Sequence, residues 1–296
     1  MNGDGGPEAT RQIDAFSAHV VPVSGQRRDL LHELTVSVFW PHRPGDLDLL
    51  IAHGRGCIAL DEIGRPLGSA MHFPMGEDFA TLGMMVTPPR LQALGGGRWL
   101  LRRIMADCAG RDLRLNATRA GYRLYESAGF VPVGTVHQHQ GTVLTVPPVD
   151  TPPGIDLTPV AASDRAAIAA LDARAFGADR GAVLAALLDA STGFVASRNG
   201  QPCGFSLIRA FGKGRVIGPV VAETEAMAIA LIAPLLRAAQ GSFVRLDAPM
   251  PDAAFTGYLA AAGLAPVDTV TEMRIGPHRR SAQGAVIFAL AAHSLG

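Results

Sequence analysis

Short apolar runs separated by turn residues dominate this chain, and their spacing predicts strands alternating with helices. Ala80–Val86 (ATLGMMV) has the length and apolarity of a buried strand. Two prolines and three glycines follow it. Trp99, Leu100, Leu101, Ile104 and Met105 then recur at helical spacing, so a helix is expected to about Ala109. Upstream, His19–Val23 reads as a strand, and Leu30, Leu31, Leu34 and Val38 share one face of a helix over 26–38. Trp40-Pro41-His42-Arg43-Pro44-Gly45 breaks that helix, and Asp46 caps a short one over Leu47–Ala52. Gly56–Leu60 and Leu67–Phe73 form two strands around a turn. Leu113–Ala117 is a strand, Gly121–Ala128 a helix stopped by Gly129, and Phe130–Thr145 two strands around Gly141. Beyond a proline-rich segment, Leu157–Val160 opens a strand and Asp164 caps an alanine-rich helix.

The pattern occurs twice. Gly64-Arg65-Pro66-Leu67-Gly68 matches Gly200-Gln201-Pro202-Cys203-Gly204, and Leu115-Asn116-Ala117 matches Leu246-Asp247-Ala248. Ala128-Gly129-Phe130-Val131-Pro132-Val133 matches Ala262-Gly263-Leu264-Ala265-Pro266-Val267. Offsets run from 131 residues (Leu115 to Leu246) to 136 residues (Gly64 to Gly200), so one fold is expected twice. Pro147–Gly154 reads as a stiff linker. The expected organisation is a disordered tail over 1–17, a first domain over 18–146, the linker over 147–154 and a second domain over 155–296.

Composition narrows the partners. The 296 residues fit two domains, 48% hydrophobic content supplies packed cores, and the formal net charge is zero. Without a basic patch no nucleic-acid partner is expected, and without a run of about 20 apolar residues no membrane span. Cys57, Cys108 and Cys203 lack metal-ligand spacing, so no metal and a reducing, cytoplasmic location are expected.

Candidate chemistry centres on Gln92-x-x-Gly95-x-Gly97 between strand and helix. A helix N-terminus points unpaired N–H groups into such a bend, and Gly95, Gly96 and Gly97 admit a ligand close to the backbone, a pyrophosphate above all. Glycine is common here, 34 residues, so the motif taken alone reads more readily as a helix-capping glycine cluster than as a phosphate site. The equivalent stretch of the second copy, Val221-Ala222-Glu223-Thr224-Glu225-Ala226-Met227-Ala228, has no glycine, and Glu223 and Glu225 would repel phosphate. Tyr125 corresponds there to Leu259. One working site per chain is expected.

Gly83-Met84-Met85-Val86, Gln92–Gly97, Leu115-Asn116-Ala117-Thr118 and Tyr125-Glu126-Ser127-Ala128-Gly129-Phe130 occur in this order, and the chain thereby resembles the GNAT superfamily of N-acetyltransferases. The resemblance covers 19–146 well, and 155–296 looks like the degenerate second domain of tandem bacterial members. It implies an α/β fold of two tandem domains, each a mixed, mostly antiparallel sheet flanked by helices. The implied activity is transfer of an acetyl group from acetyl-CoA to a small-molecule amine in a ternary complex. The other functional expectation is an acyl-CoA sensor without turnover. A glycine-rich nucleotide-binding protein is weaker, for want of a Gly-Lys-Ser/Thr sequence or a dinucleotide fingerprint.

Site residues follow from the resemblance position by position. Gln92, Ala93, Leu94, Gly95, Gly96, Gly97 and Arg98 would hold the acyl-CoA pyrophosphate, with Met85, Val86, Asn116 and Tyr125 along the rest of the cofactor. The family's usual loop arginines are replaced by Gln92, Ala93 and Leu94; Arg90 and Arg98 are the nearest cations in sequence. A backbone N–H near Met85 or Val86 would polarise the thioester carbonyl, and Tyr125 would protonate the leaving thiolate. Among Glu77, Asp78 and His72, Glu77 is the preferred base, while a solvated turn is the stronger reading of Met75-Gly76-Glu77-Asp78. Trp40, His42, Arg43 and His72 are assigned to the acceptor. His137, Gln138, His139 and Gln140 suggest a polar wall of the cleft. The second domain is expected to act as a lid, and the protein to be a monomer or homodimer.

Overall fold

The computed structural model describes residues 10–249 and 253–296. The chain divides into two compact units, Met1–Arg114 and Leu115–Gly296. Both are built as helices packed on sheet.

Unit 1 is an antiparallel meander of β1 (Thr10–Ile13), β2 (Phe16–Pro22), β3 (Arg55–Leu60), β4 (Pro66–Met75) and β5 (Phe79–Val86), paired in that order. Helices α1 (Arg28–Ser37), α2 (Pro44–His53) and α3 (Gly96–Asp107) accompany it. β4 is buried on both faces apart from half-buried Pro74, which is why it reads as a continuous apolar run. Leu31 and Leu34 of α1 and Trp99, Leu100 and Ile104 of α3 are core residues, as their helical spacing predicted. Each buried aliphatic or aromatic side chain contributes about 1.5–3 kcal/mol. The α2 helix starts three residues before the expected Leu47. Pro44 sits at its first turn, where a missing N–H does no harm, and Asp46 Oδ2 accepts from Arg43 N (2.8 Å).

The tail expected over 1–17 is shorter. Residues 1–9 lie outside the described residues, but Thr10–Ile13 and Phe16–Pro22 form a hairpin with Ile13 buried. Its four-residue first strand is too short for a period-2 signal.

β6 (Asp112–Ala117) carries the chain across the division. Unit 2 contains α4 (Tyr122–Glu126), β7 (Val131–Thr142), β8 (Asp156–Pro159), α5 (Arg165–Phe176), α6 (Gly181–Asp189), β9 (Ser191–Arg198) and β10 (Gln201–Phe211). It continues with β11 (Gly214–Ala222), α7 (Glu225–Ala238), β12 (Phe243–Ala248), α8 (Ala253–Ala261), β13 (Ala265–Ile275) and β14 (Val286–Ala289). Its sheet runs β8-β9-β10-β11-β12-β7-β13, and only β11 and β12 are parallel. The helix α7, apolar almost all round, is the centre of the core with Phe255, Leu259, Leu246 and Phe288.

The repeat is visible in backbone detail. Gly129 and Gly263, which follow α4 and α8, share φ values of 92° and 99°, and the hairpin glycines Gly64 and Gly200 share 83° and 75°. A Cβ on Gly68 would stand 2.9 Å from Val86 O, and one on Gly204 would stand 2.9 Å from Val221 O.

The compact units do not follow the repeat. β7, the last strand of the first copy, lies between β12 and β13 of the second. It is one strand, not the expected two: Gly141 sits inside it because the backbone carbonyl of Gly263 approaches where a Cβ would be. Nor is the proline-rich segment a free linker. Val146 and Val149 pack on the core of unit 2, and Tyr258 donates its hydroxyl to Pro147 O (3.1 Å).

Candidate functional site

The end of β5 is irregular. Ser69 pairs with Val86 and Met71 with Gly83, so Met84 and Met85 together oppose Ala70 alone, a bulge. Met84 takes φ 50°, and its carbonyl accepts from buried Ser69 Oγ (2.8 Å). Such a bulge turns backbone N–H groups out of the ladder. The chain then passes through a 3-10 turn, Pro89–Leu91, to Gln92, whose side-chain amide donates back to Thr87 O (3.2 Å) and so shapes the loop. Ala93 and Gly95 both take left-handed backbone, φ 66° and 85°. Gln92, Ala93, Leu94 and Arg98 are exposed, and Gly95 and Gly97 half-buried.

Gly95 is the N-cap of α3 and has no side chain to cap it. The helical ladder begins with Trp99 N donating to Gly95 O (3.1 Å), and the first turn contains no acidic residue. The N–H groups of Gly96, Gly97 and Arg98 thus present the positive end of a twelve-residue helix. This donor set fits an acyl-CoA diphosphate. The fit is improved by a residue that the sequence pattern did not mark: Arg11 Nη2 lies 3.0 Å from where a Cβ of Gly95 would be.

The second copy closes the same corner. Thr224 caps α7, its Oγ1 accepting from Met227 N (3.2 Å). Glu225 accepts from Phe255 N, and Glu223 pairs with Arg198 (2.8 Å). The bulge there is Gly218-Pro219 opposite Leu207, and proline has no N–H to offer. Beyond Val216, β11 leaves β12 and pairs with β14, so the chain's own strand occupies the gap.

In unit 2, Tyr125 is 7% exposed and meets Phe130 edge-on, with ring centroids 6.0 Å apart. Burial pushes its phenol well above the ordinary value, so it is protonated at neutral pH. The Asn116 amide donates to His293 O (2.8 Å). Its counterpart Asp247 is buried and charged, held by Arg245, whose Nε donates to both carboxylate oxygens (3.0 and 3.1 Å) and whose Nη2 donates to Oδ2 (2.9 Å), and it lies 3.4 Å from His293 Nε2. Burial alone would raise the Asp247 carboxyl; the charges of His293 and Arg245 prevail and hold it well below the usual carboxylate range.

Three expectations change. Glu77 is exposed in the β4–β5 turn, which Arg111 closes by donating to Gly76 O (2.8 Å) and Phe79 O (3.0 Å). It precedes the bulge by seven residues, roughly 23 Å of extended strand, too far to serve an acyl group held there. His72 is 4% exposed, on the face of β4 that Gly68 presents to Leu100 of α3. Burial lowers its pKa, with Asp107 at the end of α3 acting against it, so His72 is a core residue and not an acceptor contact. His139 lies in a strand paired on both sides and is 2% exposed, which removes it from any cleft wall. Trp40 and His42, with rings 6.0 Å apart, are half-buried, and Arg43 is exposed, all before α2.

Residues 168–289 match the family model of the acetyltransferase (GNAT) domain. The chain is 28% identical over 214 residues to the uncharacterised N-acetyltransferase YitH of Bacillus subtilis, which covers 71% of this chain and 74% of that protein. A crystal structure from Pyrococcus horikoshii, assigned as an acetyltransferase, superposes with a TM-score of 0.76 at 18% identity, over 94% of this chain and 96% of that one. A tandem GNAT protein of the clavulanic acid biosynthesis pathway gives 0.64 at 15% identity, over 88% and 99%. These similarities extend over both repeat copies, and the family-model match falls on the second. Residues 168–289 are therefore a GNAT acetyltransferase domain, and the chain is an acyltransferase.

Proposed function

We propose that the protein transfers an acetyl group from acetyl-CoA directly to the amine of a small-molecule acceptor, and that the first repeat copy does the chemistry. The uncapped N-terminus of α3 behind the glycine bend carries this proposal. Gly96, Gly97 and Arg98 donate backbone N–H groups to the diphosphate. The acceptor nitrogen attacks the thioester carbonyl, the new C–N bond forms and the C–S bond breaks. Charge developing on the carbonyl oxygen is met by the N–H of Met85. The leaving thiolate takes the Tyr125 phenol proton, and the tyrosinate regains one from solvent. With Glu77 too distant, the proton lost by the ammonium form of the acceptor passes to solvent. Trp40, His42 and Arg43 receive the acceptor, Arg43 suiting a carboxylate on it.

Calorimetry with acetyl-CoA, followed by thiol release across a panel of amines, tests this. Saturable binding and amine-dependent release are expected. Tyr125→Phe should lower kcat about 10²-fold with unchanged cofactor affinity, as loss of a general acid does. Binding without release on any amine would leave an acyl-CoA sensor, and absence of binding would refute both.

A further inference from the structure

The glycine bend holds no cationic side chain from Gln92 through Gly97, and the flanking Arg90 and Arg98 are exposed. A diphosphate brings two negative charges against it. The compensating cation comes from the other end of unit 1. In β1 the register sets Arg11 opposite Ala18 and Ile13 opposite Phe16. Arg11 and Ile13, two apart on a strand, share a face, and that face meets the start of α3. Ile13 is 2% exposed, with its Cδ1 3.0 Å from where a Cβ of Gly96 would stand. Arg11 Nη2 stands equally close to the missing Cβ of Gly95, with Cζ at 3.7 Å. Two successive glycines thus each make room for one side chain of the hairpin. Gly95, at φ 85°, tolerates no other residue without strain.

We propose that Arg11 is a cofactor-binding residue whose guanidinium donates to the diphosphate of coenzyme A, replacing the charge that the loop itself lacks. This rests on the acyl-CoA reading above. A phosphate oxygen bound to the N–H groups of Gly96 and Gly97 lies within about 3 Å of those nitrogens, inside the sweep of the Arg11 side chain. The planar fork suits phosphate oxygens better than a lysine would. The hairpin is therefore part of the cofactor site, and its anchor is Ile13.

Calorimetry on the full chain separates the roles. For Arg11→Gln, coenzyme A affinity should fall about ten- to a hundred-fold, the range for one charge-assisted hydrogen bond. The 3′-dephospho form should lose the same factor, and pantetheine, which lacks the diphosphate, should lose nothing. Arg11→Lys should fall between, and Gln12→Ala, on the opposite face of the strand, should bind as the unaltered protein does. A thermal melt of Arg11→Gln matching the unaltered protein excludes a folding defect; should it not match, Arg11→Lys, which keeps the stem, decides by its intermediate affinity. Equal affinities of Arg11→Gln and unaltered protein for coenzyme A would overturn the proposal. So would a loss confined to coenzyme A and spared in the 3′-dephospho form, since the cation would then serve the 3′-phosphate. If the unaltered protein bound no coenzyme A, the acyl-CoA reading itself would fail.

Discussion

The two strand–turn–helix corners of this chain descend from one pattern and have opposite chemistry. Where α3 begins, three glycines leave N–H groups uncovered and an arginine stands alongside. Where α7 begins, Thr224 and Glu225 spend the same kind of position on hydrogen bonds inside the protein, and Glu223 adds a carboxylate. The bulges differ in kind too, Met85 with an N–H and Pro219 without one. The second copy gains stability from each of these features. A capped helix is worth about 1 kcal/mol more than an uncapped one, and β14 satisfies backbone groups that a ligand would otherwise have to meet. A fold can thus keep its architecture while a strand edge and helix start that stand open in one copy are filled from within in the other. The family-model match on residues 168–289 follows the architecture.

The largest effect is expected from ending the chain at Pro147. That removes both β12 and β13, the two neighbours of β7, and such a fragment should show no cooperative unfolding transition. A folded fragment that binds coenzyme A would mean that the copies are separable after all. Next, Asp247→Asn takes the counter-charge from Arg245 where Asn116 stands in the first copy. Denaturant unfolding should register a loss of about 3–5 kcal/mol. The depressed Asp247 carboxyl contributes stability that is fully present above its unfolded pKa of about 4 and is lost as pH falls below it. The unaltered protein should therefore weaken on acidification, and Asp247→Asn should lack that component.

Copying the second corner's acid into the first is a milder change. Gly97→Glu should reduce coenzyme A affinity at least about a hundred-fold. Its melting temperature should hold or rise, because a glycine leaves a helix and a carboxylate joins its N-terminal turn. A fall in both affinity and stability would instead mean that the bend needs Gly97 for packing. The smallest effect belongs to Thr224→Ala, about 1 kcal/mol less stable by denaturant melt, with cofactor binding unmoved.

Much of this was legible beforehand. The strands β3 to β6, the helices α1 and α3, the glycine bend and the twofold repeat follow from local pattern, since helix and strand periodicities and glycine turns need no distant partner. Tyr125 and Phe130 were marked by the motif around Gly129. The failures share a cause. Glu77 lies in the turn before β5 and the bulge near its far end, and only the extent of β5 sets them too far apart. His72 looked polar and available, but β4 is buried on both faces and alternation there carries no signal. Arg11 lay in a segment whose composition resembles a tail.

Local pattern was enough for most helices and strands of the first copy, for the twofold repeat, and for the contrast between a glycine corner without an acid and a twin that carries Glu223 and Glu225. All of these depend on residues near one another in the chain. The tertiary structure alone decided that β7 lies between strands of the other copy, that β14 fills the gap beside β11, and that Arg11 reaches the bend. Strand partners are chosen by non-local hydrogen bonding and packing, and a period-2 pattern says which face a residue takes but not which strand will lie beside it.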